Sequence, residues 1–411
     1  MATSDRHLAA PLSAPSVAIP LSSAGSALVI EGADVVLPDG VAEGADVSIA
    51  EGRIVAVGER APACARRIDG RGLLLAAGVV DLHGDAFERQ IQPRPGVDFP
   101  LGLALAETDR QLAANGITTA FHAVTLSWEP GLRSRETFRN WLATLDAARA
   151  ALAVDHRVQL RLEVFAVDAW PEAREAMLAG KVHFLAVNDH TEEIARRCAE
   201  PVRAARYAER AKVSAAELAA RAEAMLARRR EAEAMIAEAC GLARALGMPI
   251  ASHDDDSPAA RAFWRQQGAL ICEFPRTRET AAAARASGDH VVMGCPNIVR
   301  GGSHLGWSSA EALLRDGLVD ILVSDYFYPA MVQAAFALVA GGAASLPVAW
   351  SAISANPASA AALADRGRIA PGLRADLVLL APHRNGSAQV VATLVAGRPV
   401  YLTDTVLARL R

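Results

Sequence analysis

At 411 residues, 52% hydrophobic and 21% charged, the chain can fill one large core plus a satellite domain, and this composition excludes a disordered, collagen-like or coiled-coil protein. The formal net charge is -4 and the basic residues are scattered, apart from Arg228, Arg229 and Arg230 in a helix-like stretch that reads as a solvated face; no nucleic-acid partner is expected. The cysteines Cys64, Cys198, Cys240, Cys272 and Cys295 are odd in number and form no CxxC, so neither a disulfide framework nor a cysteine–zinc site is expected, and a reducing, cytoplasmic compartment follows.

Residues 1–25 are rich in Ala, Ser and Pro. Pro11, Pro15 and Pro20 interrupt any apolar run, so this reads as a disordered tail and not as a signal or a membrane span. Residues 26–74 change to short alternating strands with turns, ALVIEGADVVLPDG and GADVSIAEGRIVAVGE. The same texture returns over 369–411, in GLRADLVLLAPH and QVVATLVAGRPVYL. The two segments are expected to pair into one small β-sandwich formed by both termini.

Residues 75–368 alternate apolar strand-like runs with helical stretches, the pattern of a parallel α/β sheet. The strands are LLLAAGVVDLHG, GITTAFHAV, QLRLEVF, VHFLAVNDH, PIASHDD, ALICEFP, VVMGCPN and VDILVSD. Eight such units predict an α/β fold of the TIM (β/α)₈ barrel type. The helical stretches LALAETDRQLAANG and SAEALLRDG each end in Gly, as helix C-termini favour. One connection, about 191–247, is long and rich in Ala, Arg and Glu, with the capping pattern SAAEL at Ser214. It reads as a helical insertion on the catalytic side, serving as a dimer surface or solvated hairpin in preference to a lid.

The chemistry is carried by where the polar residues fall. His83 and Asp85 follow GVVDL, Glu163 ends LRLEV, His190 ends VHFLAVND, His253 ends PIAS, and Asp325 ends VDILVS. Each has an ordinary explanation alone: a hydrogen-bonded structural His, an N-capping Asp, or Glu163 paired with Arg161. Together they occupy the C-terminal ends of five parallel strands, which converge on one face of a barrel where active sites of this fold lie. Three imidazoles and three carboxylates suffice for one or two divalent ions with open positions. His7, His156, His183, His290 and His383 lie away from those ends and read as structural; His122, after GITTAF, lies near the mouth and its role is open.

These motifs resemble the amidohydrolase superfamily: GVVDLHGD, a β-segment before it, and GLRADLVLL near the end. Within it the chain is similar to the diphosphatases of the carbon–phosphorus lyase pathway that act on α-D-ribose 1-methylphosphonate 5-triphosphate, through DLHGDAFERQIQPRPGVDFP, NGITTAFHAV, LRLEVF, NDHT, ASHDDD, EFPRT, GCPNIVRGGSH, LVSDYFYPA, SANPA and DRGRIAPGLRADLVL. The chain departs from that pattern with HGD in place of HTD, DYFYP in place of DYYP, and TLSWEPG after His122. The resemblance implies a distorted barrel and the metal ligands His83, Asp85, Glu163, His190, His253 and Asp325. It also implies release of pyrophosphate in phosphonate breakdown, with Asp325 orienting the attacking water and taking its proton. Arg300, Gly301, Gly302, Ser303 and His304 are expected to cradle the polyphosphate, with Arg94 and Arg276 as further cations.

Zinc is the expected metal, with manganese or iron as alternatives. The partner is a small phosphorylated substrate, and a homo-oligomer, dimer or tetramer, is expected. Two rival readings are a C–N hydrolase or deaminase of the same superfamily and, further off, a non-catalytic barrel scaffold.

Overall fold

The computed structural model describes residues 27–59, 65–94, 96–198, 200–302, 309–384 and 386–411, so the expected N-terminal tail lies outside the described residues. Five strands come first: β1 (Leu28–Leu37), β2 (Gly40–Ala50), β3 (Arg53–Val57), β4 (Arg66–Asp69) and β5 (Leu74–Ala77). The barrel strands follow as β6 (Val79–Gly84), β7 (Ile117–Leu126), β8 (Asp155–Glu163), β9 (Phe184–Asn188), β10 (Ile250–His253), β11 (Ile271–Glu273), β12 (His290–Gly294) and β13 (Ile321–Val323). The last three are β14 (Leu377–Pro382), β15 (Ala388–Val395) and β16 (Arg398–Leu402).

Strands β6 to β13 pair in sequence order, all parallel, as the eight apolar runs predict. Their alternation sorts side chains to two apolar environments. On β9, Phe184 and Ala186 join Val80, Leu82, Phe121, Ala251, Ile271, Val292, Ile321 and Val323 inside the barrel. Leu185 and Val187 face outward and pack with the surrounding helices. A parallel bridge between Gly84 and Asp325 connects the last strand to the first.

The terminal segments form one mixed sheet in the order β16-β15-β14-β5-β1-β2-β3, with β4 on β1. On β14, Leu377 and Leu379 pack against Ile30, Val47 and Ile54, while Val378 and Leu380 pack toward the barrel helices. This two-sided burial explains the unbroken apolar run LVLL. The sheet also corrects one strand boundary: LLLAAGVVDLHG reads as one strand, but it divides at Gly78 into β5 of the terminal sheet and β6 of the barrel. A Cβ at position 78 would meet Thr118 Oγ1 at 2.3 Å, so only glycine lets the chain cross between sheets there.

The long connection holds the helices Thr191–Arg197, Pro201–Ala211, Ala215–Leu226 and Arg229–Ala245. Ser214 caps the third, accepting from the Glu217 N–H at 3.1 Å. The fourth buries Met235, Ile236, Ala239, Cys240 and Ala243 with β9 and β10 and is a regular barrel helix. Only the first three stand apart, with a small cluster of their own around Ile194, Ala211, Leu218 and Ala222. Among the described residues no helix is long and apolar enough to cross a membrane, and the four described cysteines are free.

His183, just before β9, contributes a pH dependence to the fold. Its Nδ1 accepts the Val158 N–H at 3.1 Å, which requires that nitrogen to be unprotonated. Burial, then the charges of Arg157 and Arg149, lower its pKa to about 4, against about 6.5 in an unfolded chain. The unfolded state therefore binds more protons between these values, and the contribution is complete above about pH 6.5 and lost as pH falls toward about 4. Urea midpoints of the wild type should fall between pH 7 and pH 5 more than those of His183→Asn. Equal losses in the two proteins would assign the titration to other groups.

Candidate active site

At the C-terminal ends of the barrel strands lies a cleft of about 350 Å³. His83, Asp85, His190, His253 and Asp325 all line it, so five of the six strand-end residues singled out in the sequence meet in one place. The three histidine rings are close: centroids of His83 and His253 lie 5.2 Å apart, and those of His190 and His253 5.6 Å.

Local backbone geometry aims these groups. Asp254 and Phe274, directly after their strands, and Asp325, two residues after β13, adopt left-handed φ values of 61°, 52° and 55°. Such conformations cost a non-glycine residue about 1–3 kcal/mol and persist where packing imposes them. Asp325 is held there on both sides, its N–H donating to His83 O at 3.0 Å and its carbonyl accepting the Asp85 N–H at 2.8 Å. Burial, and then the neighbouring Asp85, push the Asp325 carboxyl up to about 7.

Two residues that the sequence reading passed over complete the floor. Glu273, at the end of β11, is fully buried, and its Oε2 lies 3.1 Å from His83 Nδ1 and 3.2 Å from His253 Nδ1. Burial alone would raise its pKa, but His83 and His253 outweigh it and hold the carboxyl down at about 2. Asp254 Oδ2 lies 3.4 Å from His190 Nε2, and its Oδ1 is 3.7 Å from His253 Nε2. Glu273 was recoverable from the sequence: it sits two residues after the inward-facing Ile271, the parity that singled out the others. Asp254 carried no such signal within the acidic run DDD.

Two sets of donor atoms are compact enough for a metal ion: His83 with His253 and Glu273, and His190 with His253 and Asp254, each within 4.8 Å. Imidazole nitrogens and carboxylate oxygens at that spacing suit a divalent transition ion. A carboxylate on the far nitrogen of a ligating imidazole is the usual support for such a site, and Glu273 is placed to give it to two rings.

Glu163 faces into the barrel but is withdrawn from the cleft. Its carboxylate accepts from His190 N at 3.2 Å and Thr191 Oγ1 at 2.7 Å, and it belongs to neither donor set. The expected pairing with Arg161 is absent, because Arg161 reaches instead toward Asp85 and His253. His122 points outward, as the inward Phe121 beside it requires, and packs on Phe87 and Trp141. It contacts His156 at 2.8 Å, which contacts Asp109 at 2.9 Å, a buried structural chain.

Of the expected substrate residues, Arg300 lines the cleft, exposed and 3.3 Å from the Tyr326 hydroxyl. Gly301 and Gly302 follow with positive φ, while Ser303 and His304 lie outside the described residues. Arg94 is exposed and does not line the cleft. Arg276 lies in an adjoining acidic pocket, bonded to Glu193 and 3.7 Å from Asp254. The structure adds Arg133, Arg161 and Arg197 to the lining, with Tyr207 beside Arg197 at 3.2 Å. Ile194, Arg197 and Tyr207 come from the insertion, which therefore walls the cleft and is more than a solvated hairpin.

Over 358 residues the chain is 33% identical to α-D-ribose 1-methylphosphonate 5-triphosphate diphosphatase of Escherichia coli (strain K12), covering 86% of this chain and 94% of that one. The chain belongs to the family of this diphosphatase. Similar solved structures include dihydropyrimidinase from Brevibacillus agri (TM-score 0.62, 16% identity, 92% of this chain and 95% of that one). Another is an amidohydrolase with TM-score 0.62, 13% identity, and 92% and 100% coverage. At these identities the shared property is the barrel fold. No protein-family model matches the chain.

Removing the charge of Glu273 while preserving its shape should weaken metal binding. Glu273→Gln is expected to lower affinity for Zn²⁺ or Mn²⁺ by roughly 10–100-fold, the usual effect of losing such a supporting carboxylate. Competition with a chromogenic chelator measures it, and unchanged affinity would remove Glu273 from the metal centre.

Proposed function

We propose that this hydrolase cleaves a phosphoric anhydride bond, releasing pyrophosphate from α-D-ribose 1-methylphosphonate 5-triphosphate, with a divalent ion at the imidazole–carboxylate floor. One observation carries the reading: the same cleft is lined by His83, His190, His253 and Asp254 of the donor sets and by four guanidiniums, Arg133, Arg161, Arg197 and Arg300. A polyphosphate needs both, and a neutral cyclic amide has no use for the second. The named activity of the Escherichia coli relative supports the same substrate.

The ion, when bound, supplies Lewis-acid activation of water and of the phosphoryl group. The chain's own residues do the rest. Asp325, facing Asp85 across the barrel seam, orients the water and takes its proton as the water oxygen bonds to phosphorus. The P–O anhydride bond breaks, and the electron pair leaves with pyrophosphate. Arg300 and Arg197, both in the cleft lining, hold the phosphate oxygens by charge-assisted hydrogen bonds. Tyr207 and Tyr326 keep those two guanidiniums in place.

Metal-replete wild type should release pyrophosphate from this triphosphate, and Asp325→Asn should lower kcat by about 10²–10⁴-fold, as loss of a general base does. Arg300→Ala should raise KM by roughly ten- to a hundredfold, the loss of a hydrogen bond to a charged group. Hydrolysis of cyclic amides without pyrophosphate release would place the chain among C–N hydrolases instead.

A further inference from the structure

Arg161 reaches the floor of the cleft from inside the barrel. It sits on β8 between the inward residues Gln159 and Glu163 and is 5% exposed. Its Nη2 lies 3.1 Å from His253 Nε2, its Nη1 3.6 Å from Asp85 Oδ2, and its Nε is buried with no partner.

An arginine only donates and stays protonated. His253 Nε2 must therefore be the accepting nitrogen, which places the ring proton on Nδ1, where it is donated to Glu273 Oε2 at 3.2 Å. Glu273 is thereby assigned as the support of His253 and not as its co-ligand. The Nε2 lone pair that Arg161 engages is the one turned toward Asp254 Oδ1 at 3.7 Å, within the donor set His190, His253 and Asp254. A guanidinium and a divalent cation thus compete for one lone pair and for the same surrounding carboxylates.

We propose that Arg161 sets the affinity of the site for metal: its guanidinium engages the Nε2 lone pair of His253 and lies 3.6 Å from the Asp85 carboxylate, so a divalent ion competes with it for both. The role rests on the reading that the centre holds a divalent ion.

The test is titration of the metal-free full-length protein with Mn²⁺, read by calorimetry, beside thermal melting. Arg161→Gln should bind Mn²⁺ more tightly than wild type, on the order of ten- to a hundredfold, because a fixed positive charge within a few ångströms of the ion is gone. Its metal-free form should melt below the metal-free wild type, and added Mn²⁺ should narrow that gap. Arg161→Lys, which keeps the charge, should stay closer to the wild-type Kd. If the glutamine protein cannot be obtained metal-free, Arg161→Met, neutral and of similar reach, gives the same comparison. Affinity in the neutral variants equal to or weaker than wild type overturns the role of Arg161. A wild type that takes up no Mn²⁺ or Zn²⁺ defeats the metal centre itself, and this role with it.

Discussion

The buried carboxylate of Asp81 accepts the Ser324 N–H at 3.0 Å and the Ser324 hydroxyl at 2.5 Å, and these bonds join the first barrel strand to the last. The seam needs them because β13 is only three residues long, Ile321–Val323, so its ladder toward β6 is minimal. The groups lining the cleft depend on this closure: His83 and Asp85 stand on one side of it and Asp325 on the other. The tightness of the seam also accounts for a sequence departure. A Cβ at Gly84 would meet Asp81 Oδ2 at 2.7 Å and Ser324 Oγ at 2.9 Å, so the HGD form of the motif goes with this particular closure.

Closure concentrates charge, and the rest of the site is arranged around that cost. Carboxylates taken from water favour their neutral form unless cations or donors oppose it. At Glu273 two imidazoles oppose it and the carboxyl stays ionised; at Asp325 little does, and the group is pushed up to about 7. The difference follows from partners, since both groups are buried. Asp254, Phe274 and Asp325, which take left-handed φ values, themselves line the cleft.

The alternation of the sequence made much of this legible. Apolar runs gave the eight parallel strands, and polar residues at their ends gave His83, Asp85, His190, His253 and Asp325. The same parity applied to ICE would have found Glu273, and applied to AFHAV it sends His122 outward behind Phe121. Other features depend on tertiary contacts that no local pattern carries. Gly78 looks like any glycine in an apolar run until Thr118 is packed on it, and Glu163 looks like a ligand until the turn at His190 captures its carboxylate.

That capture links the cover of the cleft to its floor. Glu163 accepts from the His190 N–H and the Thr191 hydroxyl, and Thr191 in turn accepts from Trp128 Nε1 at 2.8 Å. Thr191 opens the helix that carries Ile194 and Arg197 into the cleft wall. The insertion's small apolar cluster packs on Trp128 of the loop after β7. A carboxylate on β8 adds a second tie, holding the backbone of His190 and the first turn of the cover together. Burial, against the pull of His190 and Thr191, raises the Glu163 carboxyl to about 7. Position 163 is thus tied through these bonds to His190 and to the helix that carries Arg197, a tie that strand parity alone could not show.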